Sequence, residues 1–255
     1  MAGDLGEMPF LDHLEELRKR VIWSLLALVA LSIVGFFLVT EFGVLQILER
    51  PFNLVLPGEG LRYTSPTTPV VITFKLAFVV GFILALPIIA YQVWAFFSPA
   101  LYEHEKKYIL PAITVGFVLF LGGIALAYFL VLPLGLRFLI GFQAETLTPI
   151  ITVDEYLRFA TRLILAFGII FEMPVILVLL SFMGLVTPAG LRKYQRHALV
   201  ILAVVAALLT PADLGTMFML LVPMVLLYEL SIWLVRLVGG GRRGRTRAEE
   251  PAPES

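Results

Sequence analysis

The chain has 255 residues, 60% hydrophobic and 15% charged, with a mean hydropathy of +0.96. That is too apolar for a soluble domain and too regularly interrupted for a single anchor, so an all-α, polytopic membrane protein is predicted. Basic and acidic residues balance at 19 each, so the information lies in where the charges sit. Cysteine is absent, which excludes a disulfide framework, a Cys-based metal site and a thiol nucleophile.

Residues 10–20, FLDHLEELRKR, set Leu11, Leu14 and Leu17 along one helical face and Asp12, Glu15, Glu16, Arg18, Lys19 and Arg20 around the rest. The pattern predicts an amphipathic helix at a membrane surface. Residues 21–39 run almost without polarity, long enough at about 1.5 Å per residue to cross a hydrocarbon core of roughly 30 Å. The long, partly acidic stretch before them and the lack of a small-residue cleavage site argue for a retained span rather than a signal peptide. Residues 40–69 carry Pro51, Pro57, Gly58, Gly60, Pro66 and Pro69, the punctuation of a structured loop. Within it, residues 42–56 are apolar enough for a short helix lying on the bilayer or packing back on the spans.

A second span is predicted over 70–97, with Lys75 near its start and Pro87 inside. A polar turn, SPALYEHEKK, covers 98–107. The third span covers 108–136, and a loop over 137–154 ends in the helix-start residues Thr152, Asp154 and Glu155. The fourth span, 156–186, has Arg158 and Arg162 in its first turns and Glu172 with Pro174 near its centre. Residues 187–196 are polar. The fifth apolar run, 197–209, is about 20 Å of helix and falls short of a normal core. After the turn TPAD at 210–213, residues 215–237 form the sixth span, with Pro223 inside it. The short pair should cross a locally thinned bilayer or stop at an unusual depth. Composition divides the chain into a transmembrane domain, 1–238, and a disordered cytoplasmic tail, 239–255, whose arginines are placed to touch anionic headgroups.

With the N-terminus taken as cytoplasmic, 13 Lys and Arg fall on that side, against Arg50, Arg62 and Arg137 in the opposite loops. The bias predicts six spans with both termini cytoplasmic. That topology puts 10–20 and 98–107 on one face, where Glu15, Glu16, Glu103 and Glu105 can gather into an acidic patch. One reading of these acids is local i to i+4 pairing, Glu15 with Lys19, Glu16 with Arg20 and Glu103 near Lys107, at ~0.2 to 0.5 kcal/mol a pair. The other is a dock for a basic peptide. A carboxylate receiving a guanidinium bidentately gains roughly 1.5 to 3 kcal/mol, and Lys cannot reproduce the fork.

Glu172 is singular because a mid-span carboxyl facing lipid costs about 3 kcal/mol. A protonated group bonded to a neighbour, a contact for a partner helix or cargo, and a proton-coupling site all remain open. Glu229 reads as a satisfied interhelical group, and Asp213 as a turn residue or a partner contact. His13, His104 and His197 have no metal-site spacing, GGGRRGR is no phosphate loop, and no nucleophile and base constellation is present. No cofactor, metal, nucleic-acid or enzymatic role is therefore predicted.

The blocks FLDHLEELRKR at 10–20, YQVWAFFSPALYEHEKK at 91–107, AFGIIFEMP at 166–174 and TPAD at 210–213 resemble, in order and spacing, the signature blocks of the TatC family, the receptor core of the twin-arginine protein translocase. The resemblance spans residues 10–237. It implies a six-span membrane protein with a concave, glove-like wall that recognises twin-arginine signal peptides of folded cargo. It also implies a multi-copy hetero-oligomer with single-span subunits of the TatA and TatB kind, in the cell inner membrane and powered by the proton gradient. By position, Glu16 and Glu105 match the family's signal-peptide-binding acids, with Arg18, Phe96, Leu101, Tyr102 and Glu103 in the same blocks. Pro51, Glu172 and Asp213 match positions tied to assembly or translocation. Ala212, Thr216 and Met217 depart from the family's TPPD and following Ser-Gln, Ala100 replaces a frequent Gly, and Glu103 adds an acid. The competing classes are a proton-coupled small-solute transporter built on Glu172, for which inverted repeats are expected and not visible, and a membrane scaffold indifferent to signal-peptide arginines.

Overall fold

The computed structural model describes residues 10–58, 60–97, 109–141, 150–209 and 214–246, and among them every regular element is helical. In chain order these are α1 (Phe10–Glu41), α2 (Val44–Val55), α3 (Thr68–Phe97), α4 (Ile109–Leu126), a π-helical turn (Ala127–Val131), α5 (Leu132–Gly141), α6 (Val153–Phe171), α7 (Met173–Phe182), α8 (Pro188–Lys193), α9 (Gln195–Leu209) and α10 (Leu214–Thr246). Five stretches of described chain are long and apolar enough to cross a membrane: Asp12–Glu41, Thr68–Phe97, Leu110–Gly141, Val153–Phe182 and Gly215–Leu237. Gln195–Leu209 is apolar but only 15 residues long.

Several predicted boundaries move. The amphipathic start and the first span are one continuous helix, α1, because no Pro or Gly falls near the junction at Arg20 and Val21 to interrupt its hydrogen bonding. Arg137, assigned to a loop, lies inside α5, which ends at Gly141. The fourth span stops at Phe182 rather than 186. Gly184 there takes φ 75°, its N–H donates to the Ser181 carbonyl at 3.0 Å, and Leu185 N–H donates to Leu180 at 3.0 Å. This double closure ends helices, and the left-handed conformation favours glycine. The polar stretch after it contains α8, capped by the Thr187 hydroxyl, which accepts from Gly190 N–H at 3.1 Å. α10 continues through Gly239, Gly240 and Gly241 to Thr246, past the point where composition places the start of a tail. Each helical Gly costs about 1 kcal/mol against Ala, which an already formed helix tolerates because each added residue closes one more bond.

Several serine and threonine hydroxyls inside the spans are satisfied by their own helices. Ser24 donates to Arg20 O at 2.9 Å, Ser32 to Leu28 O at 2.7 Å, Thr161 to Leu157 O at 2.6 Å and Ser231 to Leu227 O at 2.6 Å. In hydrocarbon, where water is absent, this local bond removes most of the cost of a polar side chain.

The chain divides into two compact units, residues 1–47 with 67–114 and residues 48–66 with 115–255. In the first, α1 and α3 pack along their length through small residues. A Cβ added at Gly81 would stand 2.4 Å from Ser32 Cα, and one at Gly35 would stand 2.4 Å from the Ala77 carbonyl oxygen. Backbones this close rely on van der Waals contact between helices, the main attraction left when lipid is as apolar as the side chains.

In the second unit, Gly123 and Gly168 let α4 and α6 approach: a Cβ on Gly123 would meet the Phe167 carbonyl at 2.6 Å, and one on Gly168 the Phe120 ring at 2.6 Å. Phe120, Ala127, Leu132, Leu163 and Phe167 are buried there. A further cluster, Leu191, Tyr228, Ile232 and Val235, is packed by Met173, Leu177 and Leu202, and Tyr228 donates to the Leu191 carbonyl at 2.8 Å. The start of α6 is fixed twice. Thr152 and Glu155 form a reciprocal capping box, as their spacing predicts, and Val153 N–H donates to the Arg62 carbonyl at 2.9 Å in an isolated bridge.

Gly81→Ala should destabilise the folded protein by about 1 to 3 kcal/mol, because the added methyl meets backbone that cannot yield. Gly122→Ala, with open space around its Cβ, should be neutral or slightly stabilising. Thermal midpoints of the two variants in one detergent make the comparison.

Candidate functional site

The amphipathic half of α1 carries the first group of predicted site residues. Glu16 accepts from Arg20 at 3.1 Å, and the same guanidinium donates through its other nitrogen to Gln92 Oε1 on α3, also at 3.1 Å. The Glu16 and Arg20 side chains are 21% and 32% exposed, whereas the neighbouring Glu15–Lys19 pair, 2.9 Å apart, is 62% and 69% exposed. The sheltered pair is therefore held from two helices, while the exposed one is an ordinary surface pair of small worth. For these four residues the local i to i+4 pairing weighed from spacing is the arrangement present. Asp12, Glu15, Glu16, Lys19, Arg20 and Trp23 line an open groove of about 590 Å³. Arg18 is exposed.

Two contacts of this site were not read from sequence, where His13 figured only among the histidines without metal-site spacing. One is Gln92, whose amide oxygen fixes Arg20. The other is His13, whose ring stacks on Phe96 at 4.4 Å and 25°, tying the head of α1 to the end of α3; Phe96 in turn meets Phe97 edge-on at 5.3 Å. A glutamine two residues before Trp94, in the otherwise apolar second half of α3, is a signal, since it needs a polar neighbour. Leu101, Tyr102, Glu103 and Glu105 lie outside the described residues, as does Asp213.

The second group lies within the second unit. Glu172 sits where α6 ends and α7 begins, with φ −73° and ψ −16°; its N–H turns back to Ile169 O at 3.1 Å and Pro174 follows in the first turn of α7. The carboxylate faces Gly116 of α4, where an added Cβ would stand 2.7 Å from Oε2. The mid-span acid is thus half-buried against protein at a helix interruption, and the absent side chain at 116 makes room for it. Glu229 accepts from the Gln195 amide in a short hydrogen bond, in line with an interhelical partner.

Pro51 is buried within α2. Beside it Phe52 packs on Tyr156 with ring centroids 5.4 Å apart, and the Tyr156 hydroxyl donates to the Leu48 carbonyl. α2 therefore packs back on a span, one of the two placements its composition allowed.

The whole chain can now be set beside known proteins. The family model described as "Sec-independent protein translocase protein (TatC)" matches residues 12–223. This chain belongs to the TatC family. It is 41% identical over 232 residues to the Sec-independent protein translocase protein TatC of Aquifex aeolicus, covering 90% of this chain and 95% of that one. To its counterpart in Escherichia coli K12 it is 37% identical over 242 residues, covering 94% and 92%. A crystal structure titled as the twin arginine translocase receptor TatC superposes with a TM-score of 0.79 at 41% identity, over 89% of this chain and 99% of that one. As a TatC, the chain is a polytopic component of a membrane protein translocase, a transport subunit and not an enzyme.

Two outcomes follow from the geometry. Gly116→Ala should displace the Glu172 carboxylate and lower the thermal midpoint in detergent, while Gly122→Ala, with open space around its Cβ, leaves it unchanged or raises it slightly. In α2, burial pushes the Glu49 carboxyl above its usual range. A raised acid favours the folded state at low pH and loses that contribution as pH rises through the raised value. Glu49→Gln should therefore flatten this part of the pH dependence and stabilise the protein near neutrality, as read by melting curves across pH.

Proposed function

We propose that this TatC family member is the receptor core of a twin-arginine translocase, binding the signal peptides of folded proteins and mediating their export with single-span TatA- and TatB-type subunits. In this reading the chain has six spans, α9 being a short fifth crossing, both termini cytoplasmic, and the concave, glove-like wall that the family resemblance implies. Residues 1–238 form the membrane domain and 239–255 a tail. The observation that carries the reading is the groove along α1: three carboxylates, Asp12, Glu15 and Glu16, face one open space, and Glu16 already holds a guanidinium. A site that accepts Arg20 has the geometry to accept an incoming arginine.

The signal peptide's arginine pair docks on Glu16 and Glu105, with Arg18, Phe96, Leu101, Tyr102 and Glu103 around them. Its apolar segment then inserts past Glu172, and partner helices assemble against Pro51, Glu172 and Asp213. The proton gradient supplies the energy, in several copies of a hetero-oligomer in the cell inner membrane. Support comes from the family membership and from a solved relative whose title names it a twin arginine translocase receptor.

Substituting Glu16 and Glu105 together with Ala should abolish crosslinking of a twin-arginine peptide to the purified translocase; undiminished crosslinking would remove these acids from the dock. Replacing the peptide's arginines with lysines should weaken binding roughly tenfold or more, one decade per ~1.4 kcal/mol. Equal binding of the two peptides would point to simple charge attraction.

A further inference from the structure

Within the second unit, Glu155, Arg158, Phe159 and Arg162 of α6 and Leu209 at the end of α9 line a second groove, of about 170 Å³. None of these residues belongs to the signal-peptide reading. Arg158 and Arg162 are one helical turn apart and both exposed, on a helix that is part of the membrane-crossing stretch Val153–Phe182. Arg162 lies nine residues past the helix start at Val153, about 13 Å along the axis. A guanidinium at that depth must reach water or an anion, since facing hydrocarbon costs several kcal/mol.

The carboxylates nearby are already engaged. Asp154 accepts from Arg158 at 2.7 Å, and Glu155 closes the capping box with Thr152. The other wall ends at Leu209, the last residue of a 15-residue helix, which at about 22 Å is shorter than a hydrocarbon core. The bilayer surface beside α9 therefore lies near the level of this groove, and lipid headgroups are the anions within reach.

We propose that Arg158 and Arg162 form a binding site for the phosphodiester headgroup of an anionic membrane lipid, with Phe159 and Leu209 packing against the start of its acyl chains. The guanidinium fork matches two phosphate oxygens where an ammonium offers a point charge. The site is independent of twin-arginine recognition.

The test is native mass spectrometry of the full-length protein in detergent, titrated with phosphatidylglycerol and separately with phosphatidylcholine. The wild-type chain should retain one phosphatidylglycerol at roughly tenfold lower concentration than phosphatidylcholine. Arg158→Gln with Arg162→Gln should lose that one lipid, while Arg192→Gln with Arg196→Gln, exposed residues of α8 and α9, should keep it. Should the double glutamine variant fail to fold, Leu209→Trp, which leaves both arginines and fills the groove, should weaken retention in its place. Unchanged retention in either variant overturns the site. So does complete displacement of the lipid by inorganic phosphate at equal concentration, which would make the groove a phosphate site with no part for the acyl chains.

Discussion

The position of Glu16 rests on how closely α1 and α3 approach. Helices in lipid gain little from hydrophobic burial against one another, so their contact must come from backbone-to-backbone packing. Gly35 and Gly81, with Ala77 and Ser32 opposite, supply it. Because the two helices lie flush, the Arg20 guanidinium reaches Gln92 while still holding Glu16, and His13 reaches the face of Phe96. A wider pair would leave the acid as a mobile surface group of the Glu15 kind. The apolar contact thus sets the geometry of the polar one.

The two glutamates within the apolar spans show different solutions to the same cost. Glu229 is met by a side-chain amide from a neighbouring helix. Glu172 instead occupies a break between two helices and faces a glycine, an arrangement in which the backbone has been opened and a neighbour's side chain removed. The first suits a permanent structural bond. The second seats a half-buried carboxylate against the bare backbone of Gly116, which is why it belongs to the translocation reading and Glu229 does not.

Much of this was legible in the sequence because the membrane imposes it. A run of apolar residues of sufficient length has one stable conformation in lipid, so the five long stretches were visible, as were the helix start at Thr152 and the partnered Glu229. The first-helix pairings were also legible, since they depend only on i to i+4 spacing. What hydropathy could not show was anything set by contact between distant segments, such as Gln92 bonding Arg20, His13 on Phe96, Gly116 opposite Glu172, and Tyr156 clasping Leu48. Helix ends were misplaced where polarity and conformation diverge. Gly184 stops a helix inside an apolar run, whereas Gly239 to Gly241 fail to stop one in a polar stretch.

The wide turn at Ala127–Val131 matters beyond its five residues. Upstream of it, Gly116, Phe120, Gly123 and Ala127 are buried at alternating intervals of three and four; downstream the buried positions are Val131, Leu132, Gly135 and Leu136. Leu132 N–H donates to the Ala127 carbonyl, five residues back where an α-helix bonds four back, so the turn takes up one extra residue. Had the rod stayed regular, its inward stripe would have continued to drift around the axis. The extra residue re-aims the stretch after it, so that Gly135 of α5 stands against Phe159 of α6 and Thr216 of α10.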